Sequence, residues 1–234
     1  MTRFAALLLV LAACSGGEDI TYHWDRDRVL CSVPIDDLSH EVAWDKVDEQ
    51  LDNAAAHGSV AILHAHKPGI TVSLASIERA LTSAAERGLP TITFRELDGP
   101  PRGALAFAFD DNSPELWLTA QDLLAAHDAR ITLFVSRWTT MTDAQRADVM
   151  TLASLGHDLQ PHSVAHVDAV EYVAANGVDA YVADEVLPSF TPLEQLGYPP
   201  TTYAYPFGSH TAEIDLAVLA HISRVRAAGE CDEP

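Results

Sequence analysis

Residues 104–112 read Ala-Leu-Ala-Phe-Ala-Phe-Asp-Asp-Asn, an apolar run that ends in two carboxylates and an amide. A run of this kind predicts a buried strand. Similar apolar runs recur along the chain, and helical patterns separate most of them. Because alternating strands and helices form parallel sheets, we predict an α/β fold, and seven to eight units suggest closure into a barrel.

The predicted elements cover most of the chain. Strands are expected at Val29–Val33, Val60–His64, Thr91–Phe94, Ala104–Phe109, Ile131–Val135, His157–Gln160, Thr201–Tyr205 and Ile222–Arg226. Helical patterns occur at Val42–Ala56, Leu74–Arg87, Pro114–His127, Ala144–Leu155, Ala180–Leu196 and Ala212–Ala220. Polar residues follow several of the strands, and this is the end of a barrel strand at which catalytic groups gather.

Two carboxylates and two imidazoles stand at such strand ends. Asp110 and Asp111 close the first run, and His162 and His166 follow a later one. One carboxylate and two histidines hold a metal with open positions for water and a substrate oxygen, and the other aspartate can act as a base. Each pair alone is weak evidence, because Asp-Asp is common in turns and the chain contains 11 histidines.

Three segments resemble motifs of the polysaccharide deacetylase family. They are Phe109-Asp110-Asp111, His162-Ser163-Val164-Ala165-His166 and Tyr205-Pro206-Phe207-Gly208. The resemblance implies that the seven to eight strands form a distorted (β/α) barrel and that Asp110 is the catalytic base. It implies that Asp111, His162 and His166 bind a divalent metal, with Zn²⁺ expected and Co²⁺ or Ni²⁺ as alternatives. It also implies that Tyr205, Pro206 and Phe207 line the substrate site.

The two remaining family motifs are found near the N-terminal end of the chain. Leu63-His64-Ala65-His66 resembles the Leu-x-x-His signature of the closing strand, which implies that His66 is the general acid. His64 is expected to line the site at most. The fourth motif is loose: Asp36 or Asp37 would orient His66, and no tryptophan follows at the expected distance. The motif order four, five, one, two, three therefore suggests a circularly permuted deacetylase domain.

The sequence departs from the family at two positions of the site. The family has an arginine that pairs with the catalytic base, and Ala204 stands at the matching position. We expect the base to lose an orienting cation, which would raise its pKa or shift its task to another group. Asn112 replaces a glycine, a milder change because asparagine tolerates the left-handed conformation.

The N-terminal residues resemble a bacterial lipoprotein signal. Thr2 and Arg3 precede an apolar stretch that is too short to span a membrane, which takes about 20 residues. Leu11-Ala12-Ala13-Cys14 reads as a lipobox, so we predict a signal peptide over 1–13, lipidation at Cys14, a linker over 14–27 and the deacetylase-like domain over 28–231. An ordinary signal peptide is the alternative. The protein would then lie in the bacterial cell envelope, in the periplasm or at the cell surface.

Cysteine usage agrees with an oxidising compartment. With Cys14 lipidated, Cys31 and Cys231 remain as a pair near the two ends of the mature chain. If the domain is permuted, a Cys31–Cys231 disulfide would connect the new termini. Two unrelated buried thiols are the alternative.

The formal net charge of −20 argues against nucleic acid and anionic membranes as binding partners. Membrane contact is expected only through the lipid anchor, and we expect a monomer. The partner implied by the resemblance is an N-acetylglucosamine-type polysaccharide, from which N-acetyl groups would be removed. Two alternatives remain: a hydrolase that acts on a non-saccharide amide, and a glycan-binding lipoprotein without turnover, given Ala204.

Overall fold

The computed structural model describes residues 21–24 and 28–228. Its strands are β1 (Val29–Pro34), β2 (Val60–Ala65), β3 (Thr91–Ile92), β4 (Ala104–Asp111), β5 (Thr132–Val135), β6 (Asp158–Pro161), β7 (Thr202–Ala204) and β8 (Arg224–Ala228). Its α-helices are α1 (Trp44–His57), α2 (Leu74–Glu86), α3 (Pro114–Trp117), α4 (Gln121–Ala126), α5 (Asp143–Ser154), α6 (Ala169–Asn176), α7 (Val178–Tyr181), α8 (Leu187–Gln195) and α9 (Ala212–Val218).

The strands form a nearly closed barrel. Seven of them follow the order β6-β5-β4-β2-β1-β8-β7, every pairing in that path is parallel, and β3 pairs with β4 outside it. The predicted distorted (β/α) barrel is therefore confirmed. The helices pack outside the sheet, as the alternation of elements requires.

A glutamine side chain connects the two end strands, β6 and β7. The Oε1 atom of Gln160 accepts hydrogen bonds from the backbone N–H groups of Thr201 (2.9 Å) and Thr202 (3.1 Å). Its Nε2 atom donates to Asp158 at 2.8 Å, and Arg95 binds the same carboxylate at 2.9 Å. A fully buried amide therefore links two strands between which no ladder forms within the described residues.

We expect Gln160→Met to lower the free energy of unfolding by about 2–4 kcal/mol, because it leaves two buried backbone donors without acceptors. Chemical denaturation provides the measurement. Gln195→Met, which changes an exposed glutamine on α8, is the control and should have little effect. Equal stability of the two variants would mean that Gln160 does not join β6 to β7.

Side-chain alternation along β4 places the site. Ala104, Ala106 and Ala108 pack in the barrel interior with Ile62 and Phe134, whereas the intervening apolar residues pack against the helices. Because successive side chains of a strand point to opposite faces, Asp110 continues the interior row.

Several helices are interrupted where the sequence predicts continuous ones. The predicted helix Pro114–His127 consists of α3, a 3₁₀ turn (Leu118–Ala120) and α4. The predicted helix Ala180–Leu196 contains a π-helical turn at Val182–Val186, followed by Pro188 in the first turn of α8. The predicted third strand ends at Ile92, because Thr93 and Glu96 form a capping box that starts a 3₁₀ turn. Helix α6 was not predicted from the sequence.

Residues 21–24 belong to the packed fold. Tyr22 is buried and exchanges two backbone hydrogen bonds with Val60, each 2.9 Å long. Contacts with the barrel therefore begin before residue 28. The predicted signal peptide, Cys14 and Cys231 lie outside the described residues. Within the described ranges, no helix has both the length and the apolar character needed to cross a membrane.

Candidate active site

A cavity of about 340 Å³ opens at the carboxyl ends of the strands. Its lining residues come from β2, β4, β8 and the loops that follow β2, β6 and β7: His64, His66, Asp110, Asp111, His162, His166, Tyr205, Phe207, Gly208, Arg226 and Ala228. Of the residues predicted for the site, all but Asp36 and Pro206 line this cavity. Arg226 also lines it, although this residue was not predicted from the sequence.

Asp111, His162 and His166 form one group in this cavity. One ligand atom from each lies within 4.8 Å of the others. The Oδ1 atom of Asp111 is 2.8 Å from Nε2 of His166 and 3.8 Å from Nε2 of His162. In a regular strand Asp111 would point away from Asp110, but it adopts a φ of 88° and leaves the strand conformation. The residue with the positive φ is therefore Asp111, and not Asn112, which follows it in the chain.

The three residues fit a divalent metal ion. Asp111 Oδ1 is buried and has no hydrogen-bond partner among the described residues, although His166 is close to it. The Nδ1 atom of His162 bonds to the carbonyl oxygen of Ala204 at 2.9 Å, which leaves Nε2 for a ligand role. Burial lowers the pKa of His162 to about 4, so its imidazole is neutral, as metal binding requires.

Asp110, at the end of β4, pairs with an arginine on β8, which is separated from β4 by β2 and β1 in the sheet. Arg226 on β8 donates to Oδ2 of Asp110 and to the hydroxyl of Ser32, and its guanidinium lies 4.8 Å from the centre of the Phe134 ring. Arg226 is only 2% exposed. It stands directly beside Ala204 in the parallel register of β7 and β8. The cation that seemed to be missing at position 204 is therefore supplied by the adjacent strand.

This pairing corrects the expectation for the pKa of the base. Burial raises the pKa of Asp110, but the charge of Arg226 outweighs it and holds the pKa well below the ordinary value. The expected rise of this pKa was wrong. The sequence does contain a signal for this ion pair. Arg226 is the last residue of a predicted strand, and an arginine that is buried needs a partner of opposite charge.

A second group of candidate ligands, His64, His66 and Asp110, lies in the same cavity. Arg226 already supplies the positive charge that Asp110 needs there. Burial, followed by the charge of Arg226, lowers the pKa of His64 to about 3, so this histidine is neutral. Because Arg226 is already paired with Asp110, the Asp111 group is the better candidate for a divalent metal. His64 lines the cavity and packs edge-on against His66 with ring centres 5.5 Å apart.

His66 is held by Asp36 and Trp117, and Thr71 supports it through Asp36. Its Nδ1 atom lies 2.7 Å from Oδ2 of Asp36, and its backbone N–H donates to Oδ1 of the same carboxylate at 3.0 Å. The hydroxyl of Thr71 donates to that Oδ1 atom at 2.5 Å. Trp117 donates its indole N–H to the carbonyl oxygen of His66 at 2.8 Å. A tryptophan thus supports this histidine, but it comes from α3.

The choice between Asp36 and Asp37 follows from their partners. Asp37 accepts from the backbone N–H (2.7 Å) and the hydroxyl (2.8 Å) of Ser73 at the start of α2, so it holds the helix terminus. Asp36 is therefore the carboxylate that pairs with His66.

The carboxylates around His66 determine its pKa. Burial alone would lower the pKa of His66. The hydrogen bond to Asp36 and the charges of Asp110, Asp36 and Asp111 outweigh burial and raise this pKa to about 9 in the metal-free protein.

The turn after β7 forms one wall of the cavity. Phe207 is 71% exposed, has a φ of 60° and packs edge-on against His166 with ring centres 4.9 Å apart. Tyr205 and Pro206 are buried beneath it. Gly208 has a φ of 67°, and a Cβ atom there would lie 2.6 Å from the backbone nitrogen of Ala228. Glycine is therefore required at this close approach.

A family model described as polysaccharide deacetylase matches residues 98–223, more than half of the 234-residue chain. The chain belongs to the polysaccharide deacetylase family. The matched stretch contains Asp110, Asp111, His162, His166 and the turn at Phe207. Asp36 and His66 precede it. The chain has no significant match among curated proteins.

Solved structures of deacetylases share the fold. A de-N-acetylase from Aggregatibacter actinomycetemcomitans has a TM-score of 0.59 and 13% identity, with 74% of this chain and 88% of that chain covered. IcaB from Ammonifex degensii has a TM-score of 0.58 and 16% identity, with 72% and 84% covered. A polysaccharide deacetylase from Bacillus cereus has a TM-score of 0.57 and 16% identity. That match covers 72% of this chain but only 57% of the Bacillus protein's length.

Proposed function

We propose that this deacetylase-family chain hydrolyses N-acetyl groups of an extracytoplasmic N-acetylhexosamine polysaccharide. One observation carries the proposal: a carboxylate paired with Arg226 and an imidazole paired with Asp36 line the same cavity as a metal-binding group. Amide hydrolysis needs a base for the attacking water and an acid for the departing amine, and these two pairs provide one candidate for each.

Asp111, His162 and His166 would hold the metal, for which we propose Zn²⁺, with Co²⁺ and Ni²⁺ as alternatives. A bound ion of this kind supplies a Lewis acid that polarises the amide carbonyl and acidifies water. In His162→Ala or His166→Ala, loss of one of three protein ligands should abolish stoichiometric metal binding. Elemental analysis of the purified variants tests this assignment, and unchanged metal content would contradict it.

Asp110 and His66 then divide the proton transfers. Asp110 is ionised because of Arg226, and we assign it to accept the proton of the attacking water. His66, protonated through its hydrogen bond to Asp36, gives a proton to the leaving nitrogen, so that acetate and free amine separate. The exposed ring of Phe207 offers a flat apolar surface for a sugar at the entrance of the cavity.

Asp36→Asn should move the alkaline limb of the pH–rate profile to lower pH. The acid works only while His66 is protonated, and the substitution removes the hydrogen bond and charge that raise its pKa to about 9. NMR titration of the His66 ring in metal-free protein gives an independent reading. Asp37→Asn is the matched control, since Asp37 bonds to Ser73. Identical limbs in Asp36→Asn and wild type would exclude Asp36 as the partner of the acid.

Acetate release from β-1,6- and β-1,4-linked N-acetylglucosamine oligomers tests the substrate class. The expected result is release that a chelator abolishes and that Zn²⁺, Co²⁺ or Ni²⁺ restores. Release from simple acetamides but from neither oligomer would favour the non-saccharide alternative. The non-catalytic alternative rested on Ala204, and Arg226 removes its motivation by pairing with Asp110.

We also propose that the domain is circularly permuted. β1 and β2, which precede Asp36 and His66, come first in the chain, yet they lie in the barrel between β8 and β4. The family match begins only at residue 98. A chain rearranged so that residues 98–228 precede residues 21–97 should therefore keep the same site, with Cys31 removed to avoid mispairing. Loss of chelator-sensitive activity in a well-folded rearranged chain would contradict this proposal.

The disulfide and the lipid anchor remain proposals. Cys31 is buried on β1 and pairs in register with Ala227, four positions before Cys231 in the chain. This register supports a Cys31–Cys231 bridge, which peptide mapping under non-reducing conditions would detect.

Lipidation at Cys14 would place the domain at a bacterial membrane surface, and mass spectrometry of the mature N-terminus tests it. Recovery of the unmodified Cys14 peptide would contradict the anchor.

A further inference from the structure

The loop that carries the proposed metal ligands has an unusual backbone. Ser163 and His166 both adopt positive φ angles, 66° and 61°. Positive φ angles are uncommon for residues other than glycine, although histidine adopts them more often than serine does, so two of them in one loop indicate that the surrounding structure holds it in place. Within the loop, the hydroxyl of Ser163 accepts a hydrogen bond from the backbone N–H of His166 at 2.8 Å. The backbone N–H groups of Val164 and Ala165 donate hydrogen bonds to a residue outside this loop.

That residue is Glu185. Its carboxylate accepts a hydrogen bond from the backbone N–H of Ala165 at 2.8 Å. Its backbone carbonyl accepts from the N–H of Val164 at 3.2 Å. One residue therefore satisfies both successive N–H groups that lie between Ser163 and His166.

Glu185 is placed by the π-helical turn at Val182–Val186. Pro188 follows that turn, and proline cannot donate the hydrogen bond that would continue a regular helix through this point. In this interrupted stretch of helix, the Glu185 carbonyl accepts a hydrogen bond from the N–H of Val164 in the loop. The side chain is only 5% exposed, and a carboxylate with so little contact with water is costly unless its oxygens accept hydrogen bonds.

We propose that Glu185 is a positioning residue for the metal ligands, acting through the loop 163–166. This proposal rests on the proposed metal site, because the conformation of the loop affects metal binding only if His162 and His166 bind the same ion. The acceptor oxygen must reach the N–H of Ala165, so the length of the side chain matters more than its charge. Groups that orient ligands in this way change metal affinity about 10- to 100-fold when removed.

Three substitutions separate reach from charge. Glu185→Gln keeps the acceptor oxygen at the same reach and removes the charge. Glu185→Asp keeps the charge and withdraws the oxygen, and Glu185→Ala removes both. Asp184→Ala is the matched control, because Asp184 is exposed on the same turn and bonds to the Tyr172 hydroxyl at 2.8 Å.

The measurement is the Zn²⁺ dissociation constant of the full chain, obtained by competition with a chromogenic chelator. We expect Glu185→Ala and Glu185→Asp to bind about 10- to 100-fold more weakly, and Glu185→Gln and Asp184→Ala to bind like wild type. The visible absorption bands of the Co²⁺ forms should shift in the Ala and Asp variants and remain in the Gln variant. Circular dichroism checks folding, and the Asp and Gln variants suffice if Glu185→Ala does not fold.

Two results would overturn the inference alone: Zn²⁺ binding by Glu185→Asp that equals wild type, or Glu185→Gln binding as weakly as Glu185→Ala. The second result would assign the effect to charge. Wild-type protein that binds no Zn²⁺ would reject the proposed metal site and this inference with it. Binding of Zn²⁺ by wild type but not by His162→Ala keeps the two questions separate.

Discussion

Arg226→Met is expected to lower the free energy of unfolding by about 3–5 kcal/mol, because it leaves the Asp110 carboxylate buried without a counterion. Chemical denaturation of the metal-free protein measures this loss. Arg130→Met provides the comparison: its partner Glu96 lies 3.1 Å away, but the arginine side chain is 51% exposed. An exposed pair of this kind contributes only about 0–1 kcal/mol.

The double variant Asp110→Asn/Arg226→Met sharpens the test. Removing both charges should recover much of the stability that the single Arg226 variant loses, because no ion is then buried unpaired. Arg226→Met should also shift the acid limb of the pH–rate profile upward. Without the arginine, burial dominates and raises the pKa of Asp110, so the base becomes protonated at higher pH. Additive losses in the double variant would contradict direct coupling of the two residues.

Asp110→Asn is expected to reduce turnover by about 10²- to 10⁴-fold while metal binding persists, because the change deletes a base and no ligand. Asp111→Asn should behave differently and lose the metal, since Asp111 groups with His162 and His166. Metal stoichiometry and acetate release are measured on both proteins. The two variants change neighbouring carboxylates by the same atoms, so each controls for the other.

Reversed behaviour of this pair, with metal lost in Asp110→Asn and retained in Asp111→Asn, would show that base and ligand are exchanged. The geometry favours the present assignment, because Arg226 pairs directly with Asp110. A cation held by the protein at Oδ2 of Asp110 disfavours a metal ion at the same carboxylate. Asp111 Oδ1, by contrast, faces Nε2 of His166 at 2.8 Å and Nε2 of His162 at 3.8 Å, the other two residues of its group.

The pattern of the sequence predicted the alternating strands and helices, and the family resemblance of its motifs predicted the distorted barrel and the roles of the site residues. Strand periodicity located all eight strands, since apolar runs bounded by turn residues reflect local burial. Element boundaries and helix continuity were predicted less well. The interruptions at Leu118–Ala120 and Val182–Val186 depend on how the helices pack around the barrel. Propensity alone does not report such packing.

The sequence by itself determined the residue types and the strand ends that supply the cavity, from Asp110 and Asp111 to His162, His166 and His66. The tertiary structure decided which of these groups are neighbours. Arg226 lies 116 positions from Asp110 along the chain. Glu185 lies 20 positions from Ala165, whose backbone N–H donates a hydrogen bond to the Glu185 carboxylate. Contacts of this kind arise only when barrel closure and a π-helical turn bring distant segments together. No local pattern of the chain encodes those distances.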